Sequence, residues 1–270
     1  MSNFVKRTLT AIVFVAILLG CTYYSHISFS ILFFIITVFG VWEFYTLVEK
    51  TGNHPQKITG TLLGSLLFLS FAWSRTCSCN NNLFLIGIVL VFTVFIVELL
   101  SNSVNPFNNI AYTVLGLIYV ALPFSLLNFI TTFNNTYSYQ LLFGFFFILW
   151  SNDTGAYLMG SAIGNHKLFL RVSPGKTWEG SIGGAIAAYS VAYIISGWYT
   201  IINVNDWMVI ATILIVIGTL GDLVESLFKR SIDVKDSGNI LPGHGGILDR
   251  FDSLILATPF VFIYLYCVKL

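Results

Sequence analysis

Residues 226–252 read SLFKRSIDVKDSGNILPGHGGILDRFD, with five basic or histidine side chains and four carboxylates. An apolar run at 207–229 leads into this stretch and another, at 252–268, leads out of it. Ionisable groups at the border of a membrane span are costly unless they meet ligand, metal or water, so a polar island between two apolar runs marks a functional site. The rest of the chain supports a membrane setting. Of its 270 residues, 56% are hydrophobic, 25 are Phe and only 9% are charged, with a mean hydropathy of +0.84. Such a composition excludes an ordinary soluble domain.

A membrane span needs about 20 apolar residues. The sequence holds nine candidates, at roughly 8–25, 27–49, 60–74, 83–100, 110–131, 139–163, 180–203, 207–229 and 252–268. The predicted fold is therefore all-α, a polytopic membrane protein of about nine transmembrane helices with a cytoplasm-facing polar site in its C-terminal half. The least defined turn lies around Tyr24 to Ser28.

Lys and Arg stay on the cytoplasmic side of a membrane. With the N-terminus inside, Lys6, Arg7, Lys50, Lys57, Lys167, Arg171, Lys176, Lys229, Arg230, Lys235 and Arg250 are cytoplasmic, while Arg75 and Lys269 are outside. MSNFVKRTLTAIVFVAILLG has the charge and length of a signal peptide but no clear cleavage site, and reads as a retained helix. A net charge of +1 offers no field for nucleic acid. Cys21 and Cys267 lie in apolar spans. Cys77 and Cys79, in an expected outer loop, are a weak metal signal. Asn134 to Thr136 forms a glycosylation triplet by pattern alone.

Residues 1–138 read as scaffold and 139–270 as the catalytic region. In the scaffold, Glu43, Glu49 and Glu98 sit near the inner ends of spans and are expected at the interface. Three polar constellations follow. In WSNDTGAYLMGSAIGN, Asp153 and Tyr157 share a helix face, and Ala156, Gly160 and Gly164 permit close helix approach. In RVSPGKTWEGSIGG, Pro174 and Gly175 are expected to turn and Thr177 or Ser173 to cap the next helix, whose small ridge is Gly180, Gly184, Ala188 and Ala192. Lys176 then stands near a helix N-terminus suited to phosphate.

In the third, Asp222, Glu225, Ser226 and Lys229 fall on one helical face. The loop beyond adds Lys235, Asp236, Gly243, His244, Gly245 and Gly246, before Asp249 and Asp252 open the next helix. Glycine-rich backbone approaches phosphates closely, and carboxylates at two helix ends can hold a divalent cation between them. This combination suits a metal-dependent phosphate site better than a proton relay. A transporter would carry polar groups on both sides of the midplane and usually a repeat; here they gather at one side.

Ser226, Lys229, Arg230, Lys235, Asp236, His244, Gly245, Gly246, Asp249, Arg250 and Asp252 match without a gap the signature of the phosphatidate cytidylyltransferase (CDP-diacylglycerol synthase) family. NDTGAY and SPGKTWEG resemble its two other polar motifs. The chain departs from the pattern at GSAIGNHK, where a basic residue is common, and at Gly175, where a lysine is frequent.

The resemblance implies conversion of CTP and phosphatidic acid to CDP-diacylglycerol and pyrophosphate. It implies Mg2+ on Asp222 and Asp249, with Asp252 nearby, and leaves open a second metal or a monovalent cation. Lys229, Arg230 and Lys235 would act on phosphates, Ser226 and His244 would orient them, and Lys176 would face CTP. Asp153 and Tyr157 would border the cavity, with Ser173, Asp236, Gly245, Gly246 and Arg250 among the substrate contacts. The expected partners are CTP, phosphatidic acid and membrane lipid, with a homodimer left open and nucleic acid excluded. The expected location is a cell inner membrane, multi-pass, with N-terminus and site cytoplasmic. A CTP-dependent polyprenol or other lipid kinase is the competing enzyme class.

Overall fold

The computed structural model describes residues 3–76, 83–238 and 245–268. Cys77, Cys79 and His244 lie outside the described residues. The helices are α1 (Asn3–Tyr24), α2 (His26–Glu49), α3 (Lys57–Thr76), α4 (Leu83–Leu100), α5 (Pro106–Gly116), α6 (Leu122–Thr131), α7 (Gln140–Ile163), α8 (Trp178–Trp198), α9 (Val204–Ile213), α10 (Thr219–Ser231) and α11 (Leu248–Ile263). A π turn over Leu117–Ala121 joins α5 to α6, and another over Leu214–Gly218 joins α9 to α10. Pro123 gives the first of these a cause, since proline donates no hydrogen bond and its ring crowds the preceding turn. Among the described residues, five helical runs are long and apolar enough to cross a membrane: His26–Glu49, Pro106–Thr131, Trp178–Trp198, Val204–Ser231 and Leu248–Cys267. They fall on the second, fifth, seventh, eighth and ninth expected spans. The protein is an all-α, polytopic membrane protein.

The uncertain first turn resolves at Ser25. Its extended backbone (φ −167°, ψ 165°) ends α1, and it forms a capping box with Ser28, each side chain accepting the other's backbone N–H at 3.1 Å. A buried face of α2 then alternates with a lipid-suited one: Phe29, Phe33, Ile36 and Phe44 are buried, whereas Ile31, Ile35, Phe39 and Trp42 are exposed. Exposed apolar side chains in such a row are a liability in water and the natural surface in a bilayer.

The chain forms two compact units. The first comprises residues 1–137 and 232–251. Its core includes Phe33, Phe124 and Phe251, with ring centroids 5.4–6.2 Å apart, distances at which tilted aromatic pairs attract. Tyr45 donates its hydroxyl to the carbonyl of Thr113 at 2.7 Å. Glu98, near the end of α4, is buried and accepts from Gln56 Nε2 at 2.7 Å, Ser103 Oγ at 2.5 Å and Asn109 Nδ2 at 2.9 Å. Glu49 does lie at a helix end, paired with Lys57 at 2.9 Å.

The second unit comprises residues 138–231 and 252–270. Here α7 and α8 pack through the small residues read from the sequence. A Cβ added at Gly184 would stand 2.6 Å from the carbonyl oxygen of Asn152, and one at Gly180 would stand 2.8 Å from that of Ala156. Without side chains at these positions the two backbones come close enough for dispersion to hold them in lipid, where no hydrophobic drive acts between helices.

Candidate active site

The second unit contains a cavity of about 500 Å3 whose lining includes Asn152, Asp153, Tyr157, Ser173, Lys176 and Asp222. Each wall has a local cause. α7 supplies Asn152, Asp153 and Tyr157 from its C-terminal half. A short antiparallel hairpin, β1 (Lys167–Phe169) and β2 (Ser173–Thr177), supplies Ser173 and Lys176. The expected turn at Pro174 and Gly175 is displaced: the chain reverses at 170–172 and both residues lie within β2. The register explains this. Lys167 pairs with Thr177 and Phe169 with Ser173, so a two-residue step on β1 faces a four-residue step on β2. Such a bulge accommodates a proline that cannot donate to the ladder.

Thr177 caps α8, as its position suggested, accepting the Gly180 N–H at 3.1 Å. Ser173 does not take that part; it opens the strand. Glu179, in the first turn of α8, accepts the backbone N–H groups of Asn165 and His166 at 3.2 Å and contacts His166 Nδ1 at 2.6 Å. The hairpin is thus tied at its root, which fixes where Lys176 points.

Lys176 Nζ lies 2.6 Å from Asp222 Oδ2 and 3.4 Å from the Thr219 carbonyl oxygen. Ser226 Oγ donates to Asp222 Oδ1 at 3.3 Å, one helical turn on. Asp153 lines the same cavity, and the backbone of Asp252 packs against α10 beside Asp222, its carbonyl oxygen 2.7 Å from where a Cβ on Gly221 would stand. Two carboxylates, Asp153 and Asp222, thus line the cavity with one ammonium, and like charges close together are costly unless a cation joins them. Lys229, expected on phosphate, forms a 2.5 Å ion pair with Glu225, whose side chain is only 2% exposed. Arg230 is exposed.

The first unit holds the remaining signature residues. Lys235, Asp236 and Arg250 are exposed, Gly246 is buried, and Gly245 adopts φ +82°, a conformation that glycine takes at no steric cost. Asp249 Oδ2 accepts the N–H groups of Ser237 and Gly246, each at 2.9 Å, and lies 2.9 Å from the Ser237 hydroxyl oxygen.

Glu43, expected at the membrane interface, is enclosed by protein. It is 4% exposed and accepts the N–H of Ile247 at 2.9 Å and of Leu248 at 3.0 Å, with the Ser237 hydroxyl as a third donor. A buried carboxylate persists only where hydrogen bonds replace its water, and the unpaired N–H groups at the start of α11 provide them. Neither Glu43 in this role nor Ser237 was evident from the sequence. The available signal was a carboxylate six residues before the end of a mostly apolar 24-residue helix, whose other carboxylate, Glu49, closes it.

Among the described residues, no three His, Cys, Asp or Glu side chains converge closely enough to cage a metal ion. That does not argue against Mg2+, which keeps several waters and is usually held by one or two carboxylates plus substrate phosphates. The donors present are hard oxygens with negative charge in excess, the set that Mg2+ prefers.

Comparison with known proteins agrees with the sequence motifs. The profile of the Cytidylyltransferase family matches residues 5–268. A phosphatidate cytidylyltransferase of Bacillus subtilis is 32% identical over 268 residues, covering 96% of this chain and 97% of that protein. Those of Haemophilus influenzae and Staphylococcus aureus are 33% and 36% identical, over 97% and 96% of this chain and 98% of each relative. A family match over nearly the whole length, with relatives above 30% identity across it, means that the chain belongs to the cytidylyltransferase family.

Proposed function

We propose that the protein is a phosphatidate cytidylyltransferase, joining CTP and phosphatidic acid to give CDP-diacylglycerol and pyrophosphate. The observation that carries this reading is the cavity of the second unit, which Asp153 and Asp222 line together with Lys176, ion-paired to Asp222. A site rich in carboxylates repels an anionic substrate by itself, and becomes a phosphate site once a divalent cation reverses its sign.

In the reaction a phosphatidate oxygen forms a bond to the α-phosphorus of CTP while the bond from that phosphorus to the bridging oxygen of pyrophosphate breaks. The lipid phosphate is anionic at neutral pH, so no base is needed to generate it. The barrier is repulsion between two anions and the charge growing on the leaving group. Bound Mg2+ supplies charge neutralisation and alignment of the triphosphate.

Asp222 and Asp249 are the carboxylates we assign to that ion, each from its own surroundings. Asp222 is oriented by Ser226 and Lys176, and Asp249 by Ser237 and Gly246. Asp153, in the cavity lining, and Asp252, beside Gly221 of α10, support the site. Lys176, beside Asp222 in the cavity lining, would meet CTP phosphate. Lys229, Arg230 and Lys235 act on phosphates, while Ser226, His244, Asp236, Arg250 and the backbone of Gly245 and Gly246 orient substrate. Tyr157 and Ser173 shape the mouth of the pocket.

The protein resides in a cell inner membrane with its N-terminus and site facing the cytoplasm, where CTP is available. The test uses purified protein in detergent with phosphatidic acid and CTP labelled at the α or the γ position. Label from the α position in lipid is the expected result. Label from the γ position would make the protein a lipid kinase, and label in neither would remove both enzyme readings.

A further inference from the structure

Glu43 belongs to a helix that the sequence assigns to the scaffold, yet its carboxylate engages the most polar loop in the chain. Its acceptor atoms bind the N–H groups of Ile247 and Leu248, 204 and 205 residues away in sequence, at the point where α11 begins. Ser237 stands between Glu43 and Asp249, with its hydroxyl against both carboxylates. A hydroxyl has one proton to give. Asp249 Oδ2 already accepts the N–H groups of Ser237 and Gly246, so the hydroxyl proton is needed more by Glu43.

The fit leaves no alternative residue at the contact. A Cβ on Gly238 would stand 2.9 Å from Glu43 Oε2, and one on Gly246 would overlap both Glu43 and Ser237. The glycines bring loop backbone onto the carboxylate, and the carboxylate fixes both ends of the loop: Ser237 before it, Ile247 and Leu248 after it. Asp249 is the next residue.

We infer that Glu43 is a positioning residue for the reaction, which ties Ser237 to Ile247 and Leu248 and so fixes the orientation of the Asp249 carboxylate. The inference rests on the assignment of Asp249 to the divalent cation. A partner that orients a metal ligand without touching the metal affects affinity or activity by about 10- to 100-fold when removed. Glu43→Gln keeps the size of the side chain but turns an NH2 group towards a backbone N–H, whereas Glu43→Asp keeps the charge with a shorter reach.

The experiment measures, on purified full-length protein, turnover, KM for phosphatidic acid and binding of Mn2+ read from loss of its free-ion spin signal. The expected result is a fall in turnover and in Mn2+ affinity of about 10-fold or more in Glu43→Gln, with KM for phosphatidic acid unchanged and partial recovery in Glu43→Asp. Ser237→Ala should weaken Mn2+ in the same way, and the double variant should be less impaired than the product of the two single effects, because both cut one chain of contacts.

If Glu43→Gln does not fold, Ser237→Ala alone decides: weakened Mn2+ supports the inference and wild-type affinity overturns it. Wild-type Mn2+ binding in a folded Glu43→Gln variant, or full multiplicativity with Ser237→Ala, also overturns it. Asp249→Asn separates the two layers. If that variant remains active with normal Mn2+ affinity, the assignment of Asp249 itself fails. If it is inactive while Glu43→Gln is normal, only the role of Glu43 falls.

Discussion

Lys176 Nζ stands 2.6 Å from Asp222 Oδ2, joining the hairpin before α8 to the face of α10. Among the described lining residues of the cavity Lys176 is the one cation, so its partner changes whenever another positive charge enters. Replacing Lys176 by Met leaves the carboxylates without compensation. Mn2+ should then bind more tightly, while KM for CTP rises by about fivefold or more as a phosphate contact disappears. Unchanged values of both would reduce Lys176 to a structural tie.

Asp222→Asn and Asp249→Asn should each abolish turnover while the protein remains folded, because an amide binds Mg2+ far less strongly than a carboxylate. The check is α-label transfer at saturating magnesium, alongside thermal unfolding in detergent. Near wild-type rates in either variant contradict its assignment to the metal.

The lysines of the signature should separate by burial. Lys235 is exposed, so Lys235→Met should change kinetics and leave the unfolding temperature as it was. Lys229 is 13% exposed and paired with the buried Glu225. Lys229→Met should therefore lower both turnover and the unfolding temperature, since it leaves a buried carboxylate without its ion pair. Equal thermal stability of the two variants would contradict this division.

Gly184→Val should destabilise the second unit by about 1–3 kcal/mol, the usual cost of overpacking, because its Cβ would meet the backbone oxygen of Asn152 at 2.6 Å. At Gly197, in the same helix, a Cβ would meet nothing within 4 Å beyond its own local helix backbone. Gly197→Ala should be neutral or stabilising by up to about 1 kcal/mol. Thermal unfolding in one detergent compares them directly.

Sidedness is tested with single cysteines in a background lacking Cys21, Cys77, Cys79 and Cys267. Asn134 and Ser231 are both exposed. A membrane-impermeant thiol reagent on intact cells should label Asn134→Cys and spare Ser231→Cys until the membrane is permeabilised. The opposite pattern would place the α10 end away from cytosolic CTP.

Composition and hydropathy determined the all-α membrane class, because a chain this apolar can satisfy its backbone in lipid only by helices or a closed barrel. Helix bounds were legible where local chemistry sets them. Thr177 caps α8 from three residues before its N–H partner, and Gly180 and Gly184 form their ridge by spacing alone. The family, too, was legible, since its motifs are runs of polar residues with no competing role in an apolar chain.

What spacing could not decide were contacts between distant segments. Pro174 and Gly175 have turn chemistry, yet strand pairing with Lys167 and Phe169 draws them into β2. Glu43 looked like an interfacial carboxylate because helix periodicity reports only which face a residue occupies. Whether that face meets water, lipid or the N–H groups of Ile247 and Leu248 depends on a fold that brings together residues more than 200 apart. Hydrogen bonds act over about 3 Å, so only the tertiary structure could supply that pairing.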